Sequence, residues 1–278
     1  MKLPLALLAA LALANALPAQ EPALDPWISV EQGALKLFYH TYRVGSIADG
    51  NDDFDFVNQG GQEILFPFQR LTVGLVLFGV HDVSFLYQPL EIATQTRFRE
   101  DVTIDGITFA SGSPMALTYS FPFYRVTYQY RFLSDGSGSF LAGGLALQLR
   151  NASIRFVEID GSQSSVSQNL GLVPALALSG RLEFGGGLWA AFEATGIYAS
   201  SALINGATFS FEGSILDASL RFGMPLTEWA DIFLNVRYFG GSAAGVSGYE
   251  RLQWTNSTSA ETANYISAAS VTIGVTLR

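Results

Sequence analysis

Most of this chain alternates apolar and polar residues with a period of two. No stretch after the first twenty residues shows a sustained period of 3.6. From Phe123 to Phe132, Tyr124, Val126, Tyr128, Tyr130 and Phe132 share one face, and Arg125, Thr127, Gln129 and Arg131 share the other. Ile232, Leu234, Val236 and Tyr238 oppose Asp231, Phe233, Asn235 and Arg237 in the same way. So do Val271, Ile273, Val275 and Leu277 against Thr272, Gly274, Thr276 and Arg278. Successive side chains of a strand point to opposite faces, so each segment reads as a half-apolar β-strand. A chain made of such segments must form sheet, and the question is how it hides the sheet's edges.

The pattern predicts ten strands, near 33–46, 69–87, 90–108, 114–133, 138–157, 170–184, 187–201, 208–224, 228–240 and 262–278. Their links alternate in length. Short ones fall near Gln88-Pro89, Asp135 to Ser139, Gly185 to Gly187 and Pro225 to Trp229. Longer, polar and Gly-rich ones fall at 47–68, 100–113, 158–169, 202–207 and 241–261. Short turns at one end and long loops at the other are the signature of a transmembrane barrel. Asp105-Gly106 reads as the turn of a small hairpin beyond the membrane. Trp189, Trp229 and Tyr87 lie beside the expected short turns and suit an interfacial aromatic belt.

Composition narrows the alternatives. Hydrophobic residues make up 49% and charged residues 14%, with no cysteine and a formal net charge of -9. The aromatic content excludes a disordered chain. The missing cysteine excludes disulfide scaffolds, thiolate metal sites and a Cys nucleophile. The acidic balance excludes a general nucleic-acid binder. Lys2, the apolar run Leu3 to Leu13 and the small residues up to Ala19 read as a secretory signal peptide over 1–19. A short periplasmic segment, 20–32, is expected to follow, and then one barrel domain over 33–278. A water-soluble β-sandwich also alternates, but the sparse charge and the membrane-length strands favour a barrel.

The expected fold is therefore all-β: a closed antiparallel transmembrane β-barrel of ten strands, with eight and twelve as the neighbouring counts. In architecture, residues 33–278 resemble bacterial outer-membrane β-barrel proteins as a broad class. That resemblance implies a place in the cell outer membrane, with outer-membrane lipids and the outer-membrane assembly machinery as partners. Many of the class end in an aromatic residue, whereas here the alternation closes on Arg278. The class includes porins, adhesins, lipid-modifying enzymes and structural barrels, and the fold does not choose among them.

The candidate lumen-lining residues are Lys36, Arg97, Arg99, Arg125, Arg131, Arg181, Glu183, Glu193, Asp217, Arg221, Asp231 and Arg237. Basic groups outnumber acidic ones in that set, so a narrow pore would prefer small anionic solutes. The alternatives are a non-channel barrel that binds at the surface, or an envelope lipid-modifying enzyme. For the first, Tyr249, Arg251 and Trp254 in loop 241–261 form a candidate contact patch. For the second, the sequence holds only His40 and His81. His81-Asp82-x-Ser84 resembles part of a hydrolase set, but a regular strand turns His81 away from Asp82 and Ser84. No catalytic residue, metal ligand or cofactor is assigned; Asp52, Asp53 and Asp55 read as solvated loop acids.

Overall fold

The computed structural model describes residues 24–135, 137–200, 210–246 and 261–278. Ten chain passes close into one antiparallel ring. In chain order the strands are β1 (Leu24–Val44), β2 (Phe54–Asp55), β3 (Leu65–Leu77), β4 (His81–Gln88), β5 (Glu91–Arg97), β6 (Val102–Ile104), β7 (Ile107–Phe109), β8 (Pro114–Ser120), β9 (Phe123–Ser134), β10 (Phe140–Glu158), β11 (Ser164–Glu183), β12 (Trp189–Ser200), β13 (Ser210–Thr227), β14 (Ala230–Val246) and β15 (Glu261–Leu277). The ring runs β1-β3-β4-β9-β10-β11-β12-β13-β14-β15 and closes where Ile28 pairs with Leu277 and Val44 with Thr262. Each strand of that ring thus has a neighbour on both sides, so the ring has no terminal strand, while β5 is paired on one side, by β8.

Two passes are broken by proline. β4 and β5 form one pass interrupted at Pro89, and β8 and β9 form another interrupted at Pro122. β10 spans both halves of the second pass, pairing with β9 from Phe140 to Arg150 and with β8 from Ser153 to Glu158. Proline has no N–H to give the ladder, so the strand is interrupted there. The short turn expected at Gln88-Pro89 is this break. The actual reversal is at Phe78-Gly79, where both residues have positive φ (52° and 72°) and Val80 N donates to Leu77 O. The apolar run 69–80 is alike on both faces, which hid the turn from a periodicity reading. Strand β1 also begins at Leu24 rather than Gly33, so residues 24–32 belong to the wall, where they pair with both β3 and β15. The expected signal peptide, 1–19, lies outside the described residues. The Asp105-Gly106 hairpin is present as β6 and β7.

The side-chain alternation changes meaning along the barrel. Around the half that carries the chain ends and the short turns, the outer face is apolar and exposed: Val126, Tyr128, Leu145, Leu176, Leu220, Val236 and Ile273 all point outward. No helix of the described residues is long and apolar enough to cross a membrane; this belt of strands is the surface that can. On β5, β8 and β10, in the half that carries the long loops, the order inverts. Ile92, Leu117, Tyr119, Ile154 and Phe156 point inward and are buried, while Arg97, Thr118 and Arg155 point outward. There the inside is packed like a soluble protein's core. Phe54, Phe56, Phe98, Phe109 and Phe156 meet at ring-centroid distances of 5.0–6.3 Å, and burial of such a side chain is worth about 1.5–3 kcal/mol.

Three inward aromatics at the chain-end mouth each sit over a glycine directly across the ladder: Trp27 over Gly74, Trp189 over Gly223 and Phe233 over Gly274. A Cβ on Gly274 would lie 2.2 Å from the Phe233 ring. Trp189 therefore belongs to the lumen mouth rather than to the interfacial belt, whereas Trp229 is exposed beside its short turn. Tyr87 stacks on Tyr124 partway up the wall, because the turn it was expected to flank lies at 78–80.

Gly274→Val should lower the unfolding free energy by about 1–3 kcal/mol through overpacking. Gly171→Val, where a Cβ meets nothing within 4 Å, should change it by less than about 0.5 kcal/mol. Urea unfolding of both variants in detergent micelles, followed by tryptophan fluorescence, checks the contrast. Phe78→Asn should raise stability by about 1 kcal/mol, because Asn tolerates the left-handed conformation that Phe78 is forced into.

Candidate functional site

The inward faces of the wall strands stack the lumen into three layers. The middle layer is charged. Glu31 on β1, Arg70 on β3, Arg125 on β9, Glu193 on β12, Asp217 and Arg221 on β13, and Arg237 on β14 meet across the barrel axis. Glu193 Oε1 accepts from Arg70 at 2.9 Å and from Arg125 at 2.7 Å, and its Oε2 accepts from Arg221 at 3.0 Å. Asp217 takes Arg125 at 3.0 Å and also Arg237. Glu31 takes Arg221 at 3.0 Å, Asn235 at 2.6 Å and Thr272 at 2.9 Å. Four guanidinium groups thus share three carboxylates. The side chains of Asp217, Glu31 and Arg70 are each only 1% exposed. Charges so far from water persist only when paired and hydrogen-bonded on several sides.

The layer nearest the chain ends is wider and half polar. Arg131 binds Asp82 at 3.0 Å and lies over the Phe140 ring at 4.2 Å. Arg181 binds Glu183 at 2.5 Å and Asp231 at 3.2 Å, and lies over Trp189 at 4.1 Å. Arg278 reaches Asp231 at 3.0 Å. These groups, Asp231 apart, border a cavity of about 330 Å³ whose floor includes Arg70, Arg125, Glu193 and Arg221. The layer nearest the long loops is the aromatic core. His40 is buried in it, stacked on Phe56 at 4.5 Å and hydrogen-bonded through Nδ1 to Gln62 Oε1 at 2.7 Å.

The structure sorts the sequence candidates accordingly. Arg125, Arg131, Arg181, Glu183, Glu193, Asp217, Arg221, Asp231 and Arg237 point inward and fall into the two charged layers. Lys36 does not: its neighbours Leu35 and Leu37 take the inward face, and Lys36 Nζ turns out to the Glu63 carbonyl. Arg97 also points outward, to Gly112 O at 3.0 Å, because in the loop-end half the apolar series Ile92 to Phe98 holds the inside. Arg97 and Arg99 instead line an outer cleft of about 540 Å³ between residues 58–63 and 96–102. Tyr249, Arg251 and Trp254 lie outside the described residues. His40 and His81 are far apart in role: His81 is on the outer face, 2.9 Å from Tyr128 Oη. Among the described residues no group of acids and histidines forms a metal site. Two members of the charged layer went unread in the sequence. Glu31 falls in a segment taken as lying outside the barrel, although Ser29 and Glu31 alternate with Ile28 and Val30. Arg70 opens the run whose faces look alike.

An apolar outer belt on a closed, charge-filled sheet admits one environment. The chain has the fold of the bacterial outer-membrane β-barrel proteins. Comparison with one solved structure agrees at the level of fold. The outer membrane protease OmpT of Escherichia coli superposes with a TM-score of 0.55 at 9% identity, over 94% of this chain and 99% of that one. A Pseudomonas aeruginosa FadL homologue gives 0.38 at 8% identity, over 92% and 90%. The transport unit of the Escherichia coli autotransporter AIDA-I gives 0.38 at 10% identity, over 97% and 96%. No protein-family model matches the chain, and no curated protein matches it. With short turns on the periplasmic side and long loops outside, the charged cavity opens to the periplasm and the aromatic core caps the outer half.

Asp217→Ala would leave Arg125 and Arg237 buried without their shared partner and should cost about 3–5 kcal/mol. Asp53→Ala, which removes the exposed partner of Arg43, should cost less than about 1 kcal/mol. Guanidinium chloride unfolding of the two variants in lipid-detergent micelles measures the difference.

Proposed function

We propose that this barrel does not conduct, and that it serves as a filled scaffold holding a rigid binding cap at the cell surface. The observation that carries this reading is the filling of the lumen. Above the Arg–carboxylate layer, the rings of Phe54, Phe56, Tyr119, Phe121, Phe123 and Phe156 close the outer half with buried contacts. A narrow anion route would have to part both layers, and each is held by interactions on several sides. The cap itself supports a surface role. Asp52 Oδ2 accepts from Thr103 N at 2.7 Å, and Thr94 and Thr96 donate to the carbonyls of Gly60 and Gln59, so loop 45–64 is tied to the neighbouring hairpin and strand. Function is commonly carried on loops that a rigid scaffold positions. The cleft beside Arg97 and Arg99, with Glu63 and Glu100 on its rim, is the contact surface this reading favours.

In planar lipid bilayers the purified protein should give no unitary current steps and no reversal potential attributable to ion selectivity. Stable steps with anion preference would overturn the reading and reinstate a pore. Trypsin added to intact cells should leave the chain uncut at Arg97 and Arg99, and rapid cleavage there would show that the cap is not held.

A further inference from the structure

We propose that the periplasmic cavity is a binding site for a small oxyanion, a carboxylate- or phosphate-bearing solute or chain end. The argument rests on an imbalance in its lining. Among the described residues around the cavity, the buried polar atoms without a hydrogen-bond partner are Arg70 Nε and Nη1, Arg125 Nε, Gln129 Nε2, Arg131 Nε, Trp189 Nε1 and Arg221 Nε. Every one is an N–H donor. The unpartnered acceptors of the interior, on Gln88, Gln148, Asn235 and Asn264, belong to residues that do not border this cavity. A buried donor left unpaired is costly, so the wall as built calls for an occupant rich in acceptors.

Charge and shape point the same way. Of the lining acids, Asp82, Glu183 and Glu193 are already engaged by arginines, and Asp25 is at the exposed rim. The lining arginines outnumber the lining acids, and Arg70 and Arg125 are almost wholly buried. Hydrogen bonds from arginine to an oxyanion are of the strong, charge-assisted kind. The volume of about 330 Å³ is at the lower end of the range for small-molecule sites. The Trp189 and Phe140 rings hold the Arg181 and Arg131 guanidinium groups in place at the cavity wall. Because the charged layer forms the floor, a ligand enters and leaves on the periplasmic side alone.

The test uses the full-length protein in micelles, titrated with inorganic phosphate and with glutarate, against chloride and erythritol at matched ionic strength. Trp27 and Trp189 border the cavity, so tryptophan fluorescence and Tm report occupancy. Saturable binding with a Kd near or below about 1 mM is expected for at least one oxyanion. Phosphate alone would assign a phosphoryl ligand, glutarate alone a carboxylate, and both the shared chemistry. Gln129→Glu places a carboxylate inside the donor ring; it should raise the Tm of the free protein and weaken oxyanion binding at least about tenfold. Gln129→Met keeps the size, removes one donor and should weaken binding by less. An equal response to chloride, no response to either oxyanion, or unchanged binding by Gln129→Glu would overturn the proposal. Channel measurements bear only on the non-conducting reading, so the two can fail separately.

Discussion

Everything in this structure follows from the need to pair backbone N–H and C=O groups where no water is available to do so. A single open sheet in hydrocarbon would leave two strand edges unsatisfied, at several kcal/mol per group. Closure of β1 on β15 removes both edges. Once the ring is closed, each residue has only two directions to point, and the period of two becomes a partition between wall exterior and interior. The two proline breaks, at Pro89 and Pro122, interrupt their passes without opening the ring.

The change of solvent explains the inversion of polarity. In the membrane half, lipid takes the apolar face, and the interior receives the charges. They cannot be hydrated in so narrow a space, so they pair with one another: Glu193 alone engages Arg70, Arg125 and Arg221. In the outer half, water takes the polar face and the interior receives the aromatics. A barrel that obeys both rules along one strand is filled by two kinds of matter, an ionic layer and a hydrophobic core. The periplasmic mouth, where glycines at 74, 223 and 274 let large rings lie flat against the wall, keeps open space.

The alternation of Tyr124 to Phe132 against Arg125 to Arg131 was legible in the sequence, and with it the facing of Arg125, Arg131, Arg181, Arg221 and Arg237. The turn at Phe78-Gly79 was not, because residues 69–80 present the same character on both sides and no period marks the reversal. Glu31 was missed for the opposite reason. Its alternation is clear, but it lies in a stretch assigned to the periplasm. Lys36 and Arg97 were misplaced because a charged face was taken to be a lumen face everywhere. That inference holds only where lipid lies outside.

The sequence by itself pointed to a closed antiparallel membrane barrel, with ten as the leading strand count and eight and twelve beside it, because period-two alternation and the contrast of short turns with long loops are local properties. What tertiary structure alone decided is how the lumen is filled. That depends on which guanidinium meets which carboxylate across the axis, and on how far up each strand the bilayer ends. Both are set by the stagger of strands distant in the chain: Asp217 meets Arg125 across 92 residues, and Glu31 meets Arg221 across 190. No local pattern records such a stagger, since it exists only once the ring has closed.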